Sequence, residues 1–322
     1  MTCDARFTPV SEAAKQIADA YPIDYDAGWS ANILLSNLQS HLVTEQSTIN
    51  DFDGTLTLAP LTMQAESDID LSYFDTVINW KGLTLTGSST GTDVTLGRMQ
   101  FTADNERTER GFYVGEFNAD VTDIRIVTGV STMLPTEVLI DKLRLSGELE
   151  QEDDAFYEYE YEFAIDNIST GSSENVISKV KADISINQLS AELFETLQAA
   201  NKASSTSGLD KAWQTFGQNE HGIEIEELGF FFNEQPVSLN ADLTLAKHTM
   251  ADYDQNRLGQ KLNGQANITI SEELAKSNPV ISLVLAEQIK KNVVTLHEGK
   301  YQANLVIKNG KITANNQVLY QL

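Results

Sequence analysis

The segment YEYEYEF at residues 157–163 alternates aromatic and acidic side chains without exception. In an extended strand, successive side chains leave opposite faces. One face therefore carries Tyr157, Tyr159, Tyr161 and Phe163, and the other carries Glu158, Glu160 and Glu162. Neighbours on one face stand about 7 Å apart, too far to share a cation without an adjoining strand. We interpret the aromatic face as dry and the glutamate face as solvated.

The same period of two recurs through most of the chain. Between residues 31 and 187 it occupies segments 54–65, 79–87, 91–103, 111–127, 138–151 and 178–189, and it returns at 223–246 and 263–270. Parallel strands covered on both faces would read as continuous apolar runs joined by helical crossovers. The pattern therefore predicts antiparallel sheet. Near the end, Asn309-Gly310 between two alternating runs predicts a type I′ hairpin.

Helical spacing is confined to short segments. Apolar residues recur every three or four positions at 11–21, 190–202, 209–216, 271–277 and 285–293. Ser190 is a candidate N-cap for the second of these helices, and Pro279 separates the last two.

These patterns predict a β-dominated α+β protein. We expect extended, strongly twisted antiparallel sheet that is able to curl, with a few short helices packed on one side. The polar stretch at 203–208 is the best boundary. It divides a β-rich N-terminal region, residues 1–203, which ends in an amphipathic helix, from a C-terminal α+β region, residues 204–322, which ends in a β-hairpin. The two regions are compatible with one continuous sheet.

The charge of the chain excludes some partners. Acidic residues number 47 against 22 basic ones, which gives a formal charge of −25. The average field therefore repels phosphate backbones and anionic lipid surfaces, and we expect no nucleic-acid partner. The single cysteine, Cys3, excludes an intramolecular disulfide and a multi-cysteine metal site. No window has the roughly 20 apolar residues of a membrane span.

Three motifs have catalytic or metal-binding readings that their surroundings oppose. Gly87–Gly91 fits G-x-S-x-G with Ser89 as nucleophile, but a strand pattern follows where a nucleophile elbow needs a helix. The segment 252–263 begins like a calcium loop, but Arg257 replaces the sixth-position glycine and Asn263 the twelfth-position glutamate. The four histidines form no ligand pair. We therefore predict no enzyme activity, no metal site and no cofactor.

The run GFFF at residues 229–232 interrupts the alternation. Phe230, Phe231 and Phe232 cannot all face the dry side of a strand, so at least one meets a covering helix, a partner or an apolar ligand. We favour a covering helix. These three residues join Tyr157, Tyr159, Tyr161 and Phe163 as the candidate interaction surface.

Three segments between residues 140 and 319 carry a family resemblance: IDKLRLSGELEQEDDAFYEYEYEFAIDNIS, VKADISINQLSAELFETL and the ending HEGKYQANLVIKNGKITANNQVL. They resemble the YdgA-like family of bacterial envelope proteins. The resemblance implies a periplasmic protein of a Gram-negative bacterium, tethered to the inner membrane by an N-terminal segment that is not part of this sequence. The family supplies no catalytic residues to carry over.

Three functions from different classes remain open at this point. We expect first a non-catalytic envelope protein that acts by contact with itself or with a protein partner, since long strands create edges that must be paired. Proline at Val306, which we place on an edge strand, should then dissolve the oligomer. The alternative is a carrier that holds a lipid chain or another apolar ligand in a β-groove, and the third is a hydrolase using Ser89.

Overall fold

The computed structural model describes residues 2–4, 24–32, 36–50, 54–87, 91–129, 137–171, 176–203, 206–315 and 317–321. These residues hold twenty-one strands and five short α-helices, and every strand pairing whose register is resolved is antiparallel. The predicted β-dominated α+β class is confirmed. The helix predicted at 11–21 and the candidate nucleophile Ser89 lie outside the described residues.

The strands follow the alternating segments of the sequence. In the first half they are β1 (Thr2–Asp4), β2 (Tyr25–Ala31), β3 (Leu38–Thr44), β4 (Ser47–Ile49), β5 (Thr55–Leu58), β6 (Leu61–Ser67), β7 (Tyr73–Trp80), β8 (Leu83–Thr86), β9 (Asp93–Leu96), β10 (Met99–Arg107), β11 (Tyr113–Val127) and β12 (Glu137–Gln151). In the second half they are β13 (Phe156–Thr170), β14 (Val176–Ser190), β15 (His221–Phe232), β16 (Gln235–Leu245), β17 (Leu262–Ser271), β18 (Thr295–His297), β19 (Lys300–Lys308), β20 (Lys311–Ala314) and β21 (Gln317–Gln321).

The helices all lie in the second half of the chain among the described residues. They are α1 (Ala191–Ala203), α2 (Thr206–Phe216), α3 (Met250–Asp254), α4 (Glu272–Ser277) and α5 (Pro279–Lys290), with a 3-10 turn at Leu258–Lys261. The predicted cap of α1 is present, because the Ser190 hydroxyl accepts the Leu193 amide at 3.4 Å. Pro279 is the first residue of α5, where its missing N–H costs nothing.

The chain divides into two compact units. Unit one comprises Met1–Thr108, Gly115–Ser146 and Ile165–Asn175. Within it, strands pair in the order β1–β2–β3–β6–β7–β10, and a second run pairs in the order β4–β5–β8–β9–β11. Unit two comprises Glu109–Val114, Gly147–Ala164 and Val176–Leu322. Residues on both sides of the boundary predicted at 203 belong to unit two.

The sheet of unit two carries the resolved pairings β14–β15–β16–β17–β19–β20–β21, and β18 also pairs with β19. Helices α4 and α5 bring Ala275 and Leu285 into an apolar cluster with Ala303 of β19 and Ala314 of β20. The hairpin predicted at Asn309-Gly310 is present, with φ of 51° and 75° at its two central residues.

Candidate functional site

The first predicted aromatic residue, Tyr157, lies in the core of unit two. Its side chain is 1% exposed, and its ring lies 5.1 Å from Phe112 and 5.5 Å from Phe194 between centroids. Helix α1 supplies Phe194, and buried Leu193 belongs to the same cluster. Aromatic rings at these separations stabilise a core beyond their buried area. Tyr157 therefore holds α1 against its strand and offers no accessible surface.

The other predicted aromatic residues are spread over different surroundings. Tyr159 packs against the cluster of Tyr157, and Tyr161 and Phe163 are half-buried. On β15, Phe230 is exposed, while Phe231 and Phe232 are half-buried. The Lys179 ammonium lies 4.8 Å from the centroid of the Phe231 ring, a cation–π distance. Exposure therefore differs among the seven residues, and Tyr157 is the one that is fully buried.

The glutamates of the alternating segment join an acidic sheet face. Glu160 is exposed, and Glu158 and Glu162 are half-buried. Desolvation by the surrounding sheet, together with the neighbouring carboxylates of Glu158 and Glu150, raises the pKa of Glu160. The face is therefore under electrostatic repulsion.

A shallow groove of about 650 Å³ opens on the sheet of unit two, across β15, β16, β17 and β19. Its polar lining includes Glu224, Glu226, Asp242, Asn240, Asn267 and Asn304. The Asn267 amide donates to Asn304 Oδ1 at 2.6 Å. Burial of an apolar chain against carboxylates and amides would cost their hydration. The lining also includes Ile225, Leu305 and Val306, so the groove is mixed in character and suits an apolar chain less well than a wholly apolar groove would.

Unit one contains a row of acidic side chains across neighbouring strands. Glu66 of β6 lies opposite Asp75 of β7, which in turn lies opposite Asp104 of β10. Partial burial, then Asp104 and Glu66, raises the pKa of Asp75. Gln39 of β3 donates to the Glu66 carboxylate at 3.3 Å, so the glutamate end of the row is held by an amide. Gln39, Glu66 and Asp75 line a cavity of about 360 Å³ together with His41.

The described histidines do not assemble a metal site. No group of three or more His, Cys, Asp or Glu side chains in the described part of the chain could hold an ion. His221 is fully buried, and its Nε2 lies 2.7 Å from the Phe216 carbonyl oxygen, with its ring stacked on Phe216 at 4.0 Å. This geometry makes His221 a packing residue. His41 lies 3.8 Å from Asp26 at the surface.

The most exposed apolar side chains of unit two lie on α5 and β21. On α5, Leu283 is 74% exposed and Val280 71%, and Val284 continues the same stripe one turn on. Strand β21 exposes all five residues, including Val318 and Tyr320. Buried Ala314 connects the two elements, since β20 pairs with β21 and packs in the α5 cluster. Apolar exposure of this kind marks contact surfaces.

One edge of the sheet of unit two lies at β21. Strand β19, which carries Val306, pairs with β17 on one side and with β20 on the other. The prediction that Val306 lies on an edge strand was therefore wrong, because two further strands follow it. Among the described residues β21 pairs only with β20, in a ladder that skips Leu319, and its sequence QVLYQ contains no charged residue and no proline. Edge strands are usually protected from pairing by charged residues, by proline or by β-bulges.

Sequence reasoning missed this surface, although a signal was present. Residues 288–322 contain five lysines and one glutamate, a formal charge of +4 in a chain of −25. A local charge count would have separated this segment from the acidic remainder. The exposure of α5 was not readable, because apolar residues at helical spacing usually face a core.

Among the described residues, no helix is long and apolar enough to span a bilayer. The chain matches the family described as "Bacterial protein of unknown function (DUF945)" over residues 23–320. It belongs to that family. Comparison with curated proteins and with solved structures found no significant match.

Proposed function

We propose that this DUF945 protein is a non-catalytic, YdgA-like component of the bacterial cell envelope that acts by pairing with a second copy of itself through β21. One observation carries the proposal. Strand β21 is an uncharged edge strand with every residue exposed, in a chain of net charge −25. Unpaired edge N–H and C=O groups of this kind are templates for another strand.

The sequence of β21 favours a second copy as the partner. Antiparallel pairing of two QVLYQ strands about Leu319, the residue at which the β20–β21 register shifts, would place glutamine opposite glutamine and Val318 opposite Tyr320. Cross-strand pairs of aromatic and β-branched residues are favourable. The strand itself adds no charge repulsion to this pairing, because QVLYQ contains no charged residue.

Light scattering over a concentration series tests the pairing. We expect a dimer that the double substitution Val318→Lys with Tyr320→Lys weakens at least about tenfold, since lysine on an edge strand opposes pairing. Ile69→Lys is the matched control, because Ile69 is similarly exposed but lies in a turn of unit one. A chain that stays monomeric at all concentrations, or a dimer that the double variant leaves intact, contradicts the proposal.

The envelope location is part of the same proposal and rests on the family resemblance of the sequence. Fractionation of the bacterium that encodes the protein tests it. We expect the native gene product in the periplasmic or inner-membrane fraction, and recovery in the cytosol alone would contradict this location.

A further inference from the structure

Lysines are concentrated at one end of the sheet of unit two. Leu245, the last residue of β16, lies opposite Leu262, the first of β17, and β19 and β20 meet beside them at the hairpin. The strand ends carry Lys247 after β16, Lys261 before β17, Lys308 at the end of β19 and Lys311 at the start of β20. We call these four residues the basic end.

Backbone contacts hold the basic end together. The Ala246 amide donates to the Lys261 carbonyl oxygen at 3.0 Å, which fixes Lys247 beside Lys261. Lys308 lies directly opposite Lys311 in the hairpin. A Cβ added at Gly310 would come within 3.0 Å of the Gln260 backbone, so the hairpin tip lies against the turn that carries Lys261. The four lysines therefore lie at the same end of the sheet.

The carboxylate nearest to the basic end is already engaged. Asp252 accepts hydrogen bonds from the Thr249 amide and hydroxyl at 3.0 and 2.9 Å, and it lies 3.3 Å from Arg257 and 3.8 Å from Lys261. No described carboxylate lies within 4.0 Å of the Lys247, Lys308 or Lys311 ammonium groups. Two like charges directly opposite in a hairpin repel each other. An anion at this point would relieve that repulsion.

Exposed aromatic residues are linked to the basic end through α3, because Tyr253 directly follows Asp252, which lies 3.8 Å from Lys261. Trp213 of α2 stacks on Tyr253 of α3 with centroids 6.0 Å apart, and each is 52% exposed. Leu209, one turn before Trp213, is 50% exposed, while Ala212 on the other side of α2 is buried. Helix α2 therefore points apolar side chains outward. Tryptophan and tyrosine have apolar rings and polar tips, and they favour the boundary between lipid headgroups and acyl chains.

We propose that the basic end docks on an anionic lipid bilayer, with its lysines at the lipid phosphates and with Trp213, Tyr253 and Leu209 at the headgroup boundary. Surface-bound proteins combine these two kinds of contact. The proposal goes beyond the pairing of β21 and does not depend on it.

The acidic remainder of the chain limits how docking can occur. The segments around the basic end are residues 209–221, 246–261 and 308–311. Their six basic residues are the four lysines with Lys211 and Arg257. Their four acidic residues are Asp210, Glu220, Asp252 and Asp254. Screening confines charge interactions to about 8 Å at physiological ionic strength, so the distant acidic residues do not cancel this local excess. They repel the membrane elsewhere and would therefore orient the protein with the basic end toward it.

Co-sedimentation of the full chain with vesicles tests the proposal. The probe vesicles contain phosphatidylglycerol and phosphatidylcholine in equal amounts, and the comparison vesicles contain phosphatidylcholine alone. We expect binding to the first kind only, with a blue shift of tryptophan fluorescence that Trp213→Phe abolishes. The double variant Lys308→Gln with Lys311→Gln should bind about 30-fold more weakly, because each lysine at an anionic surface contributes about a fivefold factor.

The matched control is Lys81→Gln with Lys290→Gln, which removes the same charge from exposed positions outside the basic end. It should bind like the unmodified chain. Equal loss in both double variants would overturn the proposal, and so would equal binding to neutral vesicles. A salt-sensitive oligomer that forms without vesicles and needs Lys308 and Lys311 would overturn it in favour of an acidic protein surface. Equally tight binding of a DNA oligonucleotide through the same lysines would overturn it in favour of nucleic acid.

Discussion

At the residue scale, the carboxyl of Asp75 shows how sheet register creates an electrostatic cost. Asp75 lies between Glu66 and Asp104 on neighbouring strands. Partial burial and these two neighbours raise the pKa of Asp75. The folded state therefore holds the proton of Asp75 to a higher pH than the unfolded chain does. Stability is lost as pH rises through this interval, and the loss persists above it.

We predict that Asp75→Asn stabilises unit one at pH 7 by about 0.5 kcal/mol, the size typical of a like-charge pair in a sheet. Near pH 2.5 the two chains should differ little, because the carboxyl is then protonated in both states. Urea denaturation at the two pH values measures this difference. Asp68→Asn is the control and should lower the stability at pH 7, because the Ser72 hydroxyl and amide lower the pKa of Asp68 by hydrogen bonding to its carboxylate. An Asp75 variant that is less stable at pH 7 would contradict the argument.

The acidic row could not be predicted from the sequence, because its members are far apart along the chain. Glu66, Asp75 and Asp104 meet only when three strands are paired in one register. The faces of the Tyr157 strand were predictable, since alternation alone decides which side chains share a face. The sequence could not say which aromatic residue is deepest, because helix α1 covers Tyr157 and leaves Phe163 half-buried.

At the element scale, α1 and its strand depend on each other through Tyr157. We predict that Tyr157→Ala destabilises unit two by about 3–5 kcal/mol, the usual cost of removing a buried aromatic ring. Tyr161→Ala, at a half-buried position of the same strand, should cost clearly less. Thermal and urea unfolding measure both values. Equal costs would mean that the cluster of Phe112, Tyr157 and Phe194 is not the anchor of α1.

Helix α5 begins with a cap that the sequence shows only in part. Asn278 Oδ1 accepts the amides of Val280 and Ile281 at 3.0 and 3.2 Å, immediately before Pro279. Pro279 predicted a break between helices, and the structure shows that it also starts the second one. The sequence predicted that this helix starts at residue 285, whereas in the structure it starts at residue 279, because the Asn278 cap satisfies the free amides there.

We predict that Asn278→Ala destabilises the protein by about 1 kcal/mol through loss of this cap. Asn278→Asp should retain most of the stability, since a carboxylate caps equally well. Chemical denaturation measures both variants. An alanine variant as stable as the original chain would show that packing of Leu285 alone holds α5 in place.

At the scale of the whole molecule, charge is unevenly distributed along the chain. The net charge of −25 argues against anionic partners only for the acidic part, because residues 288–322 carry a formal charge of +4. The β-dominated class followed directly from the alternation. The position of the sheet edge did not follow from the alternation, because β20 and β21 extend the ladder beyond β19, the predicted edge. Strand order depends on long-range pairing, which a period of two does not encode.

Self-repulsion at this net charge should make stability depend on salt. We predict that the free energy of unfolding rises by about 1 kcal/mol between 0.01 M and 0.3 M sodium chloride, because screening shortens the range of repulsion from about 30 Å to below 10 Å. Ion pairs such as Arg144–Asp166 at 2.6 Å weaken under the same conditions, but exposed pairs contribute little. Urea denaturation at fixed pH measures how the free energy of unfolding depends on salt.

Choline chloride should act like sodium chloride if screening is the cause, whereas sucrose tests for a general effect of solutes. Stability that falls with salt would mean that attraction between the basic segment 288–322 and the acidic remainder outweighs repulsion among the carboxylates.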